Sequence, residues 1–175
     1  ALTSVSTYAD SNTVDIKFAG ALEFSDQGTL FVGDNYNGAI YAFDMNTSET
    51  IQDVKPVSML NIDVRIAGLL GIGVNALEIN DMAVHPTSHE VYISVSRIGN
   101  SSSKPAILKV TQESQLILLD LTTFSSTKQA LNHYPDQKTT FKPRGLMGTP
   151  PSSRDIAKGD VKLSSLAIMD IEYHK

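Results

Sequence analysis

The feature that most constrains this chain is a pattern of three short apolar runs separated by turn-forming residues, which occurs twice. In its first occurrence the runs lie at 21–24, 30–32 and 39–43. The turn at 25–28 contains an aspartate and a glycine, and the longer turn at 34–38 is rich in Asp and Asn and ends in glycine. These residue types favour the turns of hairpins. The segment is therefore predicted to be a three-stranded antiparallel meander.

The second occurrence begins at Asn80 and repeats the first in order. Its three runs lie at 82–84, 91–93 and 106–110. A fourth, outer strand is predicted at 115–121, where the sequence is apolar and lacks glycine and proline. The corresponding outer strand of the first copy is predicted at 58–61. Each copy is thus expected to form a sheet of four strands.

A third copy starts close to the end of the sequence. Residues 169–174, MDIEYH, resemble residues 80–85, NDMAVH. An innermost strand without its hairpin partners would leave a row of backbone donors and acceptors unpaired. We therefore expect the rest of this sheet to come from a longer polypeptide, of which this chain is an N-terminal fragment, or from a second chain.

Two segments interrupt the repeats. A short helix is predicted at 63–71, with Asp63 as its N-cap and Gly71 as its stop. Residues 122–162 are rich in proline and serine and lack periodicity over most of their length, which predicts a long loop. Loops of this length are uncommon inside compact domains and are usually functional.

Radial repetition of four-stranded antiparallel sheets is the way β-propellers are built. We therefore predict an all-β fold, a partial β-propeller of about two blades plus the first strand of a third, with one short helix, in a single domain over 1–175. The predicted boundaries are blade 1 at about 18–62, the helix at 63–71, blade 2 at about 79–121, the long loop at 122–162 and the first strand of blade 3 at 163–175.

Composition narrows the classes of function. The 175 residues, 41% of them hydrophobic, suit one domain. The formal charge of −5 and the scattered basic residues leave no basic stripe for nucleic acid. No apolar run approaches the roughly 20 residues that a membrane span needs. Cysteine is absent, which excludes disulfides, thiolate metal sites and cysteine nucleophiles.

The stretch from 20 to 44 resembles the repeat of NHL-type propellers. The residues that carry the resemblance are Gly20, Asp26, Gly28, Leu30, Phe31, Val32, Asp34, Ile40 and Phe43. A wider stretch, 66–97, is similar to a group of uncharacterised, exported bacterial propeller proteins that are longer than this chain. The resemblance covers about 18–121 and 163–175 and implies a fold rather than an activity. Glu23 is out of place for the metal-binding glutamate of lactonase-type propellers, and the absence of Trp excludes the docking motifs of quinoprotein dehydrogenases.

In a propeller, the loops that enter the innermost strands and those that join the second and third strands lie on one face. The candidate ligand-binding residues on that face are Asp34, Asn35, Asn80, Asp81, Arg97 and Asp170. Oxygen-rich loops of this kind suit Ca²⁺ or Mg²⁺, or a polar ligand. The alternative is that Asp81 and Asp170 bind backbone amides of neighbouring blades, while Asp34 and Asn35 form an Asx-turn.

The histidines offer little acid–base chemistry. His85 and His174 occupy equivalent repeat positions, and the Pro-Thr-Ser sequence after His85 predicts that it is a turn residue rather than a ligand. No nucleophile elbow, glycine-rich phosphate loop or HExxH motif is present. No catalytic residue is therefore assigned.

These observations favour a propeller scaffold or a ligand- or protein-binding module, completed by further blades from the same polypeptide or a second chain. The alternative is a hydrolase or oxidoreductase with a metal-assisted site on the propeller face, most of whose catalytic residues lie outside this chain. The small and polar residues at 1–5 resemble the end left by signal-peptide cleavage, so a periplasmic or secreted location is expected.

Overall fold

The computed structural model describes residues 14–45, 54, 56–98, 105–136, 138, 140–141, 161–162 and 168–174. Within these residues the chain is mostly β-structure, with one α-helix, α1 (Ile62–Leu70). The strands in chain order are β1 (Leu22–Phe24), β2 (Thr29–Asp34), β3 (Ala39–Asp44), β4 (Leu77–Val84), β5 (Val91–Arg97), β6 (Ala106–Val110), β7 (Leu116–Leu118), β8 (Ser126–Ala130), β9 (Thr140–Phe141) and β10 (Val161–Lys162). Helical turns of the 3₁₀ type lie at Val74–Ala76 and Leu121–Thr123.

The strands form two four-stranded antiparallel sheets and one separate pair. Sheet 1 has the order β1-β2-β3-β8, and sheet 2 has the order β4-β5-β6-β7. Strands β9 and β10 pair with each other. The prediction of an all-β fold with one short helix is confirmed. No helix in the described part of the chain has the length and apolar character needed to span a bilayer.

The fourth strand of sheet 1 does not lie where the sequence predicted it. Strand β8 pairs with β3, although it belongs to the segment 122–162 that was predicted to be a loop. Residues 58–61 form no strand, and Asn61 takes a left-handed φ of 53° just before α1. The predicted outer strand at 58–61 is therefore wrong. The sequence of β8, STKQA, is almost entirely exposed, so it lacks the apolar alternation that reveals a half-buried strand.

Sheets 1 and 2 pack against each other through one face of each. The contacting side chains are Leu22, Phe24, Leu30, Val32, Tyr41 and Phe43 of sheet 1 and Ala83, Tyr92 and Ile107 of sheet 2. The rings of Phe24 and Tyr92 meet edge to face with centroids 4.9 Å apart. Burial, with a smaller contribution from the charge of Glu90, raises the pKa of Tyr92. This shared face is the larger part of the core.

Part of the other face of sheet 2, over β5 and β6, is covered by α1. Ile66 and Leu70 of the helix pack on Ile93, Val95 and Leu108 of the sheet. The helix begins at Ile62 with Asn61 as its N-cap instead of the predicted Asp63. It ends at the predicted glycine, Gly71, whose left-handed φ of 66° lets its N–H reach the last turn.

Residues 168–174 lie against the face of sheet 1 that is turned away from sheet 2. Phe31 and Gly33 alternate along β2 with Leu30 and Val32, so they belong to this second face. Gly33 contacts Ile168, and Phe31 stacks on Tyr173. The described residues 168–174 belong to no helix or strand, whereas 163–175 was predicted to be the first strand of a third blade. Residues 163–167 and 175 lie outside the described residues.

A substitution in the turn between β1 and β2 tests the contact between the sheets. Gly28 has a φ of 82°, and a Cβ at this position would lie 2.7 Å from Nε2 of His85, which follows strand β4 of sheet 2. Gly71 also has a positive φ, but a Cβ there would meet nothing within 4 Å. We expect Gly71→Ala to cost about 1–2 kcal/mol of unfolding free energy from backbone strain. We expect Gly28→Ala to cost about 1–3 kcal/mol more because it also overpacks the sheet interface.

Urea unfolding followed by circular dichroism would measure both variants. Equal losses of unfolding free energy in Gly28→Ala and Gly71→Ala would show that the turn and His85 do not press against each other.

Candidate functional site

Three of the six candidate site residues, Asp34, Asn80 and Asp81, gather around the entry segment, which is the stretch 14–21 that leads into β1. Asp34, at the end of β2, is completely buried. Its carboxylate accepts hydrogen bonds from the backbone N–H groups of Lys17 (2.8 Å), Tyr36 (2.9 Å) and Asn37 (3.0 Å), and from Nδ2 of Asn37 (2.8 Å). One side chain thus closes the turn between β2 and β3 and holds the entry segment beside it.

Asn80 and Asp81 bind the same part of sheet 1 from strand β4. Nδ2 of Asn80 donates to the carbonyl of Ala19 (2.7 Å) and to Oγ of Ser96 (2.8 Å). Oδ2 of Asp81 accepts the N–H of Leu22 (2.8 Å). Consecutive residues of a regular strand point to opposite faces, but the pairing of β4 with β5 shifts between Ile79 and Asp81. This bulge lets both side chains reach sheet 1.

Ser94 is a fourth member of this group, which sequence reasoning missed. It is completely buried in β5, and its Oγ donates to the carbonyl of Gly20 at 2.7 Å. The available signal was a serine between Ile93 and Val95 in the otherwise apolar run 91–95. A buried hydroxyl almost always has a hydrogen-bond partner, so its position predicts a contact to backbone or to another side chain.

The remaining three candidates lie elsewhere. Arg97 ends β5 opposite Leu77, and its Nε is buried without a hydrogen-bond partner among the described residues. Asn35 is buried and donates from Nδ2 to the carbonyl of Ile168 at 3.1 Å. Asp170 is exposed, and its Oδ1 accepts the N–H of Ile171 at 2.9 Å. Asn35 is thereby joined to the segment that carries Asp170.

The contacts of Asp34 and Asp81 correspond to the alternative considered for them, in which the carboxylates bind backbone amides. Asp34 forms the Asx-turn, and Asp81 binds an amide of the neighbouring sheet. Asp81 also accepts the N–H of the next residue, Met82, at its Oδ1 (2.8 Å). Asp170 makes the equivalent local contact with Ile171. Binding of an external ligand by the six candidates stays a prediction. In the part of the chain that the structure describes, no group of three or more acidic or histidine side chains could hold a metal ion.

His85 lies at the opposite end of β4, in the turn that leads to β5. Its Nδ1 accepts the N–H groups of Thr87 (3.2 Å) and Ser88 (3.1 Å), and its ring meets that of Phe24 with centroids 5.0 Å apart. Burial lowers the pKa of His85, with a smaller opposing effect from the charge of Glu90. The ring therefore acts as a neutral acceptor that closes the turn, which is the role predicted from the sequence.

Alanine substitutions of Asp34, Asp81 and Asp170 distinguish aspartates that stabilise the fold from one that lies exposed on the surface. We expect Asp34→Ala to lower the free energy of unfolding by roughly 3 kcal/mol, since it leaves three partly buried backbone N–H groups without their acceptor. Asp81→Ala should cost roughly 1.5–3 kcal/mol through the lost charged hydrogen bond to Leu22. Asp170→Ala, the matched control, should leave stability unchanged. Urea unfolding by circular dichroism gives the three values, and an Asp34→Ala variant as stable as the control would contradict this assignment.

The His85 turn predicts a pH dependence of stability. Because its pKa in the folded protein lies below the ordinary value of 6.5, the unfolded chain binds the proton more readily. The stabilisation is present above about pH 6.5 and is lost as the pH falls, with a slope of at most about 1.4 kcal/mol per pH unit. His85→Asn keeps an acceptor oxygen but does not titrate, so its stability should depend less on pH between about 7.5 and 5.5.

His133→Asn is the control, since this histidine is exposed and asparagine tolerates the positive φ of 59° at that position. It should keep the pH dependence of the unaltered chain. If His85→Asn and the unaltered chain lost the same stability over this range, His85 would not be the group responsible.

The function of this chain is inferred below from its own contacts, burial and repeat pattern. Comparisons with protein-family models, with curated proteins and with solved structures found no match for it.

Proposed function

We propose that this chain forms two adjacent blades of a β-propeller and serves as a binding scaffold without catalytic residues of its own. At least one further sheet, from the same polypeptide or from a second chain, completes it. The two meander sheets support this proposal because they pack face to face with their first strands, β1 and β4, side by side. Neighbouring blades of a propeller have this arrangement.

The observation that carries the proposal is a difference in burial between equivalent residues of the two repeats. Leu22 and Phe24 of β1 are 2% and 6% exposed, because sheet 2 covers them. Their counterparts in β4, Met82 and Val84, are 61% and 55% exposed. Helix α1 covers β5 and β6 on this side of sheet 2 but leaves these two side chains open. The repeat therefore predicts a third sheet packed on Met82 and Val84.

The chemistry of the candidate site also favours a scaffold over an enzyme. A carboxylate that acts as a base or a metal ligand needs lone pairs that the protein has not already used. Four donors surround the carboxylate of Asp34, and two backbone N–H groups bind that of Asp81. Both side chains stabilise the junction of the sheets, which is what a rigid binding module requires.

Oxidation of methionines by hydroxyl radicals tests the proposal, since the rate follows the exposure of the sulfur. Met82 and Met169 are 61% and 76% exposed, and Met45 is 2% exposed. In the isolated chain we expect Met82 to react almost as fast as Met169 and far faster than Met45. In the native protein purified from its source, Met82 should react roughly tenfold more slowly, because the third sheet covers it.

Mass spectrometry of the peptides gives each rate, with Met45 as the internal buried standard. If Met82 in the native protein reacted as it does in the isolated chain, no sheet would cover β4, and the propeller proposal would be abandoned.

A further inference from the structure

Gly33 lies inside strand β2 at a place where no turn requires a glycine. It is not among the glycines with positive φ, so its backbone conformation is open to other residues. What excludes them is space, because a Cβ at Gly33 would lie 2.7 Å from Cγ2 of Ile168 and 3.5 Å from Cδ1 of Ile171. A glycine within a strand weakens the strand and often marks the close approach of another segment. Here that segment is 168–174.

Residues on either side of Gly33 in the sequence also contact the segment 168–174. The ring of Phe31 stacks on that of Tyr173, with centroids 6.2 Å apart and planes at 15°. Nδ2 of the buried Asn35 donates to the carbonyl of Ile168 at 3.1 Å. At the far end the hydroxyl of Tyr173 makes a long contact of 3.5 Å with Oε1 of Gln27. We call Gln27, Phe31, Gly33 and Asn35 the Gly33 surface.

The bound segment divides into side chains that contact the sheet and side chains that do not. Ile168 is buried, and Ile171 and Tyr173 are half-buried. The remaining side chains are exposed, namely Met169, Asp170, Glu172 and His174. No strand of the described chain forms a backbone ladder with 168–174. Among the described residues its contacts are those of the Ile168, Ile171 and Tyr173 side chains, the hydrogen bond from Asn35 and the contact between Tyr173 and Gln27. An independent peptide can reproduce this mode of binding.

We propose that the Gly33 surface is a peptide-binding site for an extended segment with the pattern Ile-x-x-Ile-x-Tyr, which 168–174 fills reversibly in the same chain and which a second copy of this segment can fill in trans. The space above Gly33 accepts the branched isoleucine, Phe31 accepts a flat ring, and Asn35 selects the orientation through the carbonyl of the first isoleucine. This inference stands apart from the propeller proposal, because it depends on the face of sheet 1 turned away from sheet 2.

A labelled peptide of residues 166–175 tests the site in the full chain. The receiving chain carries Ile168→Asp and Tyr173→Ala, so that its own segment no longer holds the surface. Fluorescence anisotropy should show binding of the peptide to this chain. Binding to the unaltered chain should be at least roughly tenfold weaker, because the tethered segment competes at an effective concentration of about millimolar.

Gly33→Val in the receiving chain is the blocking variant. Valine suits a strand, so sheet 1 should form, but its side chain fills the space that isoleucine needs. We expect this change to abolish binding, whereas Gly68→Ala, where a Cβ meets nothing within 4 Å, should not affect it. A folded receiving chain that fails to bind the peptide, or that binds it equally well with Gly33→Val, overturns the proposal.

A second measurement applies if the receiving chain does not fold. Chymotrypsin cleaves after Tyr173 only when this ring leaves Phe31 and enters the protease. Gly33→Val alone, in the otherwise unaltered chain, should speed this cleavage roughly tenfold, and Gly68→Ala should not change it. An unchanged rate in Gly33→Val would show that the segment does not depend on the Gly33 surface, and the proposal would fall.

Discussion

The structure depends on how the short edge strand β1 is held. It spans only Leu22–Phe24 and pairs with a single strand. The ladder by itself therefore leaves backbone N–H and C=O groups of the entry segment without hydrogen-bond partners. Four buried or half-buried side chains supply these partners. Asp34 and Asp81 accept the N–H groups of residues 17 and 22, and Asn80 and Ser94 donate to the carbonyls of residues 19 and 20. Three of the four belong to sheet 2. The same hydrogen bonds that complete the first sheet therefore join it to the second, and the apolar contact between the sheets forms around them.

This arrangement shows what two of the polar residues in the candidate site do in the fold. Asp34 and Asp81 accept hydrogen bonds from backbone N–H groups, and a carboxylate in that position contributes to folding. Two surfaces of the described chain carry our proposals, and both are largely apolar: the exposed part of β4 at Met82 and Val84, and the face of sheet 1 around Gly33. We propose that the first receives a packed sheet and the second an extended segment.

Most strands could be predicted because their residues satisfy two local conditions at once. Runs such as 30–32 and 91–93 are apolar and rich in β-branched or aromatic residues, and each follows a turn that contains Gly28 or Pro86. Strand β8 satisfies neither condition, since its exposed side chains have no reason to alternate, and only the free edge of β3 makes it a strand. The reverse holds for 58–61, where an apolar pair suggested a strand but Asn61 starts a helix instead.

The sequence alone determined the repeat, the turns, the class of fold and the identity of most polar residues at the head of each meander. These follow from spacing and from side-chain chemistry that acts within a few residues. Tertiary structure decided what those residues bind, because the partner of Asp81 is a backbone N–H 59 residues away and that of Ser94 a carbonyl 74 residues away. It also decided the edge that β8 joins and the face on which 168–174 lies. A backbone group has the same chemistry in every residue, so only the folded chain selects which one a side chain meets.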